Sequence, residues 1–158
     1  MKHPRDEGFS LIELLIVVAV ILAIAAIAIP SLLHAKMAAN EASAVGSLRT
    51  MNSAIVNYCS TYGIGYPASL ANLAPAATPS ASAADLLDPV LASGLKSGYV
   101  FTYLPGAPDS HGIVNSFTIN ADPISRGNSG LRGFYTDEGL VIRANATGTA
   151  SVTDPVLN

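Results

Sequence analysis

Asp109-Ser110-His111 sets a carboxylate, a hydroxyl and an imidazole side by side, the three side-chain types of a nucleophilic hydrolase. Such triads are assembled in space, and neighbours on one chain rarely converge on a point. Pro105, Gly106 and Pro108 come just before, so the expected structure here is a turn. Asp122, Asp137 and Glu138 are hard oxygen donors suited to calcium if the fold gathers them, but they lack EF-hand spacing and read as solvated turn residues. No His or Cys spacing fits zinc, and His34 reads as an interfacial side chain just past an apolar stretch. Cys59 is the single cysteine and cannot close an internal disulfide; beside Tyr58 on an apolar stripe, it is expected to be a buried, inert thiol. Asn145-Ala146-Thr147 fits a glycosylation sequon on an exposed tail. The expectation is therefore a chain with no catalytic residue, no metal ligand set and no cofactor.

One residue does pose a chemical problem. Leu14 to Ile29 is an unbroken apolar run, and Glu13 is the only formal charge between Phe9 and Leu33. Twenty-five helical residues span roughly 37 Å, enough to cross a hydrocarbon core of about 30 Å. A carboxylate at that depth costs about 2.5–3.5 kcal/mol on insertion scales, so it calls for a named positive partner. Lys2 and Arg5 precede the run and hold the short leader in the cytoplasm, so residues from about His34 onward are translocated. An ordinary secretory signal is one reading, with Ala26-Ile27-Ala28 as a small-residue cleavage site, and an uncleaved anchor is another. Against a secretory signal, apolar residues continue past that site through Ile29 and Leu32-Leu33, and Glu13 stands in a region that should be wholly hydrophobic.

Gly8-Phe9-Ser10-Leu11-Ile12-Glu13-Leu14, leading into the apolar run, resembles the class III signal of type IV pilins and pseudopilins. The resemblance implies that a prepilin peptidase cuts between Gly8 and Phe9 and methylates the new amine of Phe9. Glycine lets the backbone approach a protease closely, and a cut on the cytoplasmic side leaves the anchor attached. The resemblance also implies that Glu13 meets the amine of a neighbouring subunit during assembly, although pairing within the chain at the i, i+4 spacing is open as well. Asp6 and Glu7 adjoin the cut where basic residues are usual in the family, and the C-terminal disulfide loop of many pilins has no counterpart with Cys59 alone.

The elements that must carry this segment follow from periodicity. Met37, Ala44, Leu48, Met51, Ile55, Tyr58 and Tyr62 recur on one helical face, and Gly63, Gly65 and Pro67 supply the stop. Pro30 interrupts the helix, removing a donor and clashing with the carbonyl of Ala26, so a kink is expected. The resemblance implies that the segment before Pro30 can unwind in a filament. Ala68 to Ala84 reads as a loop and Asp85 to Leu95 as a short helix capped by Asp85, with Leu86, Leu87, Val90 and Leu91 sharing a face. Tyr99 to Leu104, Val114 to Ala121, Leu131 to Thr136 and Leu140 to Ala144 read as strands, the last two joined through Asp137-Glu138-Gly139 with glycine available for positive φ.

The fold expected is α+β: a long N-terminal helix, membrane-spanning in its first half and amphipathic in its second, packed on a four-stranded antiparallel sheet. The domains expected are a leader at 1–8, a transmembrane and polymerisation helix at 9–33, and a periplasmic or extracellular globular domain at 34–158. Without its first eight residues the chain keeps six basic and nine acidic residues, a net charge of −3, a balance that gives no footprint for nucleic acid, so no nucleic-acid contact is expected. The resemblance implies a structural subunit of a pilus filament serving surface attachment or motility, a helical homopolymer of the chain itself. Its other partners would be prepilin peptidase, the assembly machinery of the inner membrane, and the membrane before assembly. The precursor would sit in the inner membrane and the filament at the bacterial surface. A type II secretion pseudopilin and a minor pilin remain open; the major pseudopilin carries a C-terminal calcium loop, and no comparable aspartate-glycine cluster is present. A monomeric membrane-anchored binding domain is the third reading.

Overall fold

The computed structural model describes residues 9–157 of the chain. It divides into two compact units, one ending at Ala35 and one beginning at Lys36. Helix α1, Leu11–Tyr62, starts in the first and continues in the second. Within the first unit the side chains from Phe9 to Ala35 are exposed, apart from half-buried Ala25. The helix here is apolar on every side, and among the described residues α1 alone is long and apolar enough to cross a membrane. Pro30 lies inside α1, which runs on to Tyr62, so this proline does not end the helix.

In the second unit α1 becomes amphipathic. Met37, Ala44, Leu48, Met51, Ile55 and Tyr58 are buried, at the helical spacing that puts them on one face. They pack on a five-stranded antiparallel sheet of order β1-β2-β3-β4-β5: Leu95–Lys96, Tyr99–Pro105, Phe117–Pro123, Gly133–Asp137 and Arg143–Asn145. Alternation selects the inner face, since Tyr99 and Phe101 of β2, and Phe117, Ile119 and Ala121 of β3, are buried while Val100, Thr102 and Leu104 point outward. Each large apolar side chain so buried contributes about 1.5–3 kcal/mol. Gly63, at φ 66°, ends α1 with its N–H on the Cys59 carbonyl at 3.0 Å, a C-cap that needs a residue tolerant of the left-handed region.

Several local expectations change. The sheet has five strands, because Leu95–Lys96 pairs with Tyr99 and Val100 across a tight turn at Ser97-Gly98; two residues are too short to show a period. The second expected strand starts later, at Phe117, and the last is confined to Arg143–Asn145. In the β4–β5 turn the Leu140 N–H bonds the Asp137 carbonyl at 2.8 Å, and the positive φ falls on Leu140 (60°) rather than Gly139. The short helix α2 is Pro89–Ala92, capped by Asp88 and not Asp85: the Asp88 carboxylate accepts the Leu91 N–H at 2.9 Å, and Pro89 takes the first helical position, where its missing donor costs nothing. Val90 is exposed, away from the buried Leu87 and Leu91. The loop before it contains a 3-10 turn, Leu70–Leu73, which buries Leu70 and Leu73. Cys59 is half-buried rather than buried, at the margin of the stripe.

Past β5 the chain folds back along that strand. Ala144 donates to the Pro155 carbonyl at 3.1 Å and Leu157 to the Ile142 carbonyl at 2.9 Å, so the tail covers the edge that β5 would otherwise present. Asp154 holds this return: its carboxylate accepts the Ser151 N–H at 2.7 Å, the Ser151 hydroxyl at 2.9 Å and the Asn145 amide at 2.9 Å.

Candidate processing and assembly segment

Phe9 and Ser10 lie ahead of the first helical residue, Leu11. Gly8, the residue before the expected cut, lies outside the described residues; Phe9 follows it with a side chain 93% exposed. Ser10 and Glu13 then share the cap of the helix, with the side-chain half of a capping box made by Glu13. The Ser10 N–H donates to Glu13 Oε2 at 2.8 Å, and the Ser10 hydroxyl accepts the Ile12 N–H at 3.4 Å. The carboxylate therefore lies over the helix N-terminus, where the positive end of the backbone dipole and an orphan donor both favour it. Only Oε2 makes a hydrogen bond among the described residues, which leaves Oε1 as an acceptor for a cation arriving at the same end. The pattern Ser-x-x-Glu is legible in the sequence as a helix start, a second role for Glu13 that a reading by charge alone misses.

The other candidates do not assemble into a site. Asp109 Oδ1 accepts the N–H groups of His111 at 2.8 Å and Ile113 at 3.0 Å, and Oδ2 accepts the Asn115 amide at 3.1 Å. The Ile113 and His111 N–H groups hold its carboxyl below the ordinary carboxylate range. The His111 ring meets only the adjacent Ser110 hydroxyl, at 3.3 Å, so the three residues form a turn and not a relay. Asp137 pairs with Thr118 of β3 while Asp122 lies four residues farther along that strand, about 13 Å away at strand rise. Asp122 is held by Arg126 at 3.1 Å and Asp137 by the Gly139 N–H at 2.9 Å. The Asn145 side-chain amide, which the sequon would offer to a sugar, is spent on Asp154. His34 is exposed.

Glu41, a charged residue of α1, is only 8% exposed. Its Oε1 accepts the N–H groups of Leu131 at 2.8 Å and Arg132 at 3.1 Å, and its Oε2 pairs with Arg132 Nε at 2.8 Å. Burial alone would raise the carboxyl pKa, but the Leu131 and Arg132 hydrogen bonds and the guanidinium charge outweigh it and hold the group below its usual range. Tyr99, beneath this pair, donates its hydroxyl to the Arg132 carbonyl at 2.9 Å. Burial, followed by the Glu41 charge, pushes that phenol up to about 12. No local pattern marks Glu41, because its partners lie some ninety residues away in the chain.

Residues 3–29 match the family described as the prokaryotic N-terminal methylation motif. This is the class III signal shared by type IV pilins and pseudopilins. No curated protein and no solved structure matches the chain.

Proposed function

We propose that this chain is a structural subunit of a type IV pilus, cut between Gly8 and Phe9, methylated at the Phe9 amine, and polymerised through the N-terminal part of α1 for surface attachment or motility. The observation that carries the reading is the methylation motif at residues 3–29, set on an apolar helix that buries nothing in the single chain and contains one carboxylate. Such a helix is solvated by lipid before assembly and by like helices afterwards. In this reading the subunit works through polymerisation and not catalysis, with the helices bundled in the filament core and the sheets on its outer surface.

Glu13 acts at the joining step. Its Oε2 is occupied by its own helix cap, and its Oε1 accepts the protonated Phe9 amine of a neighbouring subunit, which neutralises both charges in low dielectric and sets the register. Removing one member of a buried pair costs about 3–5 kcal/mol, because the other charge is left uncompensated. Glu13→Gln keeps a capping acceptor and loses the charge; Glu13→Ala loses both. Both variants should be inserted and clipped at Gly8 yet yield few or no sheared filaments. Wild-type filament yield and length from Glu13→Gln, with cleavage verified, would remove the charge from the mechanism. Absence of filaments from the unsubstituted chain in a host with its assembly machinery would favour the monomeric binding domain instead.

A further inference from the structure

Between α1 and the β4–β5 turn, wholly within the second unit, lies an open cleft of about 400 Å³, lined by Arg49, Asn52, Ser53, Val56 and Asn57 of the helix and by Leu140 of the turn. Asn52 is its floor and the other five residues are its exposed rim. Asn52, 6% exposed, donates Nδ2 to the hydroxyl of fully buried Thr136 at 3.0 Å. Its Oδ1 has no partner, alone among the buried side-chain polar atoms of the described residues. Turning the amide over would only exchange an orphan acceptor for an orphan donor. A buried amide without its hydrogen bond is costly, and at the floor of a cleft that bond can come from outside the chain.

The rim narrows the chemistry of that ligand. Arg49 forms no ion pair among the described residues. The acids of the adjoining turn are engaged elsewhere: Asp137 accepts the Gly139 N–H at 2.9 Å, and burial, then the charges of Asp137 and Glu138, pushes up the Tyr135 phenol. A free guanidinium at the rim fits one carboxylate. At the floor the donor is neutral, since no lining residue is acidic and a buried ammonium would go uncompensated. Backbone groups cannot read the ligand, because the N–H groups of α1 here are tied into the helix and those of Gly139 and Leu140 both go to Asp137. That removes the backbone nest by which a peptide terminus is held. The Ser53 hydroxyl is spent on the Arg49 carbonyl at 3.1 Å, so Asn57 supplies the remaining polar side chain, about 12 Å along α1 from Arg49. Polar contacts spread over that length between aliphatic walls, Val56 and Leu140, match a ring with hydroxyls on its edge and C–H groups on its faces.

We propose that this cleft binds an acidic saccharide of the uronate type, its carboxylate on Arg49, its hydroxyls on Asn52 and Asn57, and the C–H face of a ring against Val56 and Leu140. A hydroxyl both donates and accepts, so it satisfies the Asn52 amide in either orientation. The site lies in the second unit alone and holds whether or not the chain polymerises. In the full chain, isotope-labelled and held in detergent micelles, the asparagine side-chain amide resonances are followed by NMR. Digalacturonate, its neutral counterpart galactobiose, acetate, and an N-acetylated dipeptide with a free C-terminus are titrated in turn. Digalacturonate should shift the Asn52 and Asn57 resonances saturably. Arg49→Gln, a change at the rim that leaves the floor intact, should weaken that binding about ten-fold or more, and galactobiose should bind the unsubstituted chain correspondingly more weakly. Absence of a saturable shift at Asn52 and Asn57 with digalacturonate would overturn the proposal, as would an affinity unchanged by Arg49→Gln. Equal binding of acetate would reduce the site to a bare ion pair and overturn the saccharide assignment. Tighter binding of the dipeptide would overturn it in favour of a chain terminus.

Discussion

Replacing Glu41 with glutamine should cost the folded unit about 2–3 kcal/mol at neutral pH, and that loss should shrink in acid. Three donors converge on this buried carboxylate, two from the backbone of Leu131 and Arg132 and one from the Arg132 side chain. Glutamine retains one carbonyl oxygen for the backbone pair but turns an N–H₂ towards the guanidinium, so it loses a charge-assisted bond and opposes two donors. Bonds to charged groups contribute roughly 1.5–3 kcal/mol. The Arg132 side chain is 43% exposed, so the ion pair itself is screened and adds little beyond that bond. For a unit of this size each kcal/mol moves the melting temperature by roughly 3–5 °C, so the variant should melt on the order of 6–15 °C lower. The folded pKa of Glu41 is lowered from 4.5, so its stabilisation is fully present above the unfolded value and drains away as pH falls through the folded one. A protonated glutamate then resembles glutamine in shape and charge. Melts followed by circular dichroism in detergent, at about pH 7 and about pH 3, should show a gap that narrows on acidification. An equal gap at both pH values would mean that packing and not charge sets the effect, and no gap at neutral pH would refute the bridging role outright.

Other expectations follow from the same contacts. Asp154→Asn should loosen the C-terminal return, read as faster hydrogen exchange at the Ala144 and Leu157 amides; because the Ser151 N–H and hydroxyl lower the Asp154 pKa, the same loosening should appear in the unsubstituted chain as pH falls through that group's folded value. Ile119→Ala empties a fully buried position and should cost about 2–5 kcal/mol in denaturant melts, with the secondary structure retained below the transition. Leu140→Gly relieves a left-handed backbone that costs an L-residue about 1–2 kcal/mol, so a small rise in melting temperature is expected, and a clear fall would show that the exposed side chain matters more than the strain. Cys59, half-buried, should react with a thiol reagent more slowly in the native than in the denatured chain but to completion, which fully protected burial would not allow.

The helix and its buried face were legible because a period of 3.6 over dozens of residues is a redundant signal. Met37, Leu48, Met51, Ile55 and Tyr58 each repeat the same statement, and Gly63 closes it. Strands with aromatic alternation, such as Tyr99-Val100-Phe101, were equally plain. The two-residue β1 was not, because it has no period of its own and exists through pairing with β2. The same holds for Leu140: local chemistry assigned the left-handed residue to Gly139, while the pairing of β4 with β5 placed it one position later.

At the N-terminal segment the limits were different. Glu13 stands out because a charge is anomalous in an apolar run, and such an anomaly calls for a positive partner. Its capping bond to Ser10 is a local pattern, visible in four residues. Glu41 is the opposite case. A glutamate on an amphipathic helix is ordinarily solvated, and only the return of Leu131 and Arg132 from far along the chain makes it a buried anchor.

Whether the chain is a prepilin-type precursor is read from the intact mass of the membrane-extracted or sheared protein. The expected product begins at Phe9, carries the mass of one added methyl group on its terminal amine, and keeps the whole apolar helix. A chain beginning at Ile29, after the small residues that resemble a secretory cleavage site, or one that retains Met1 to Gly8 in cells with an active prepilin peptidase, would contradict it.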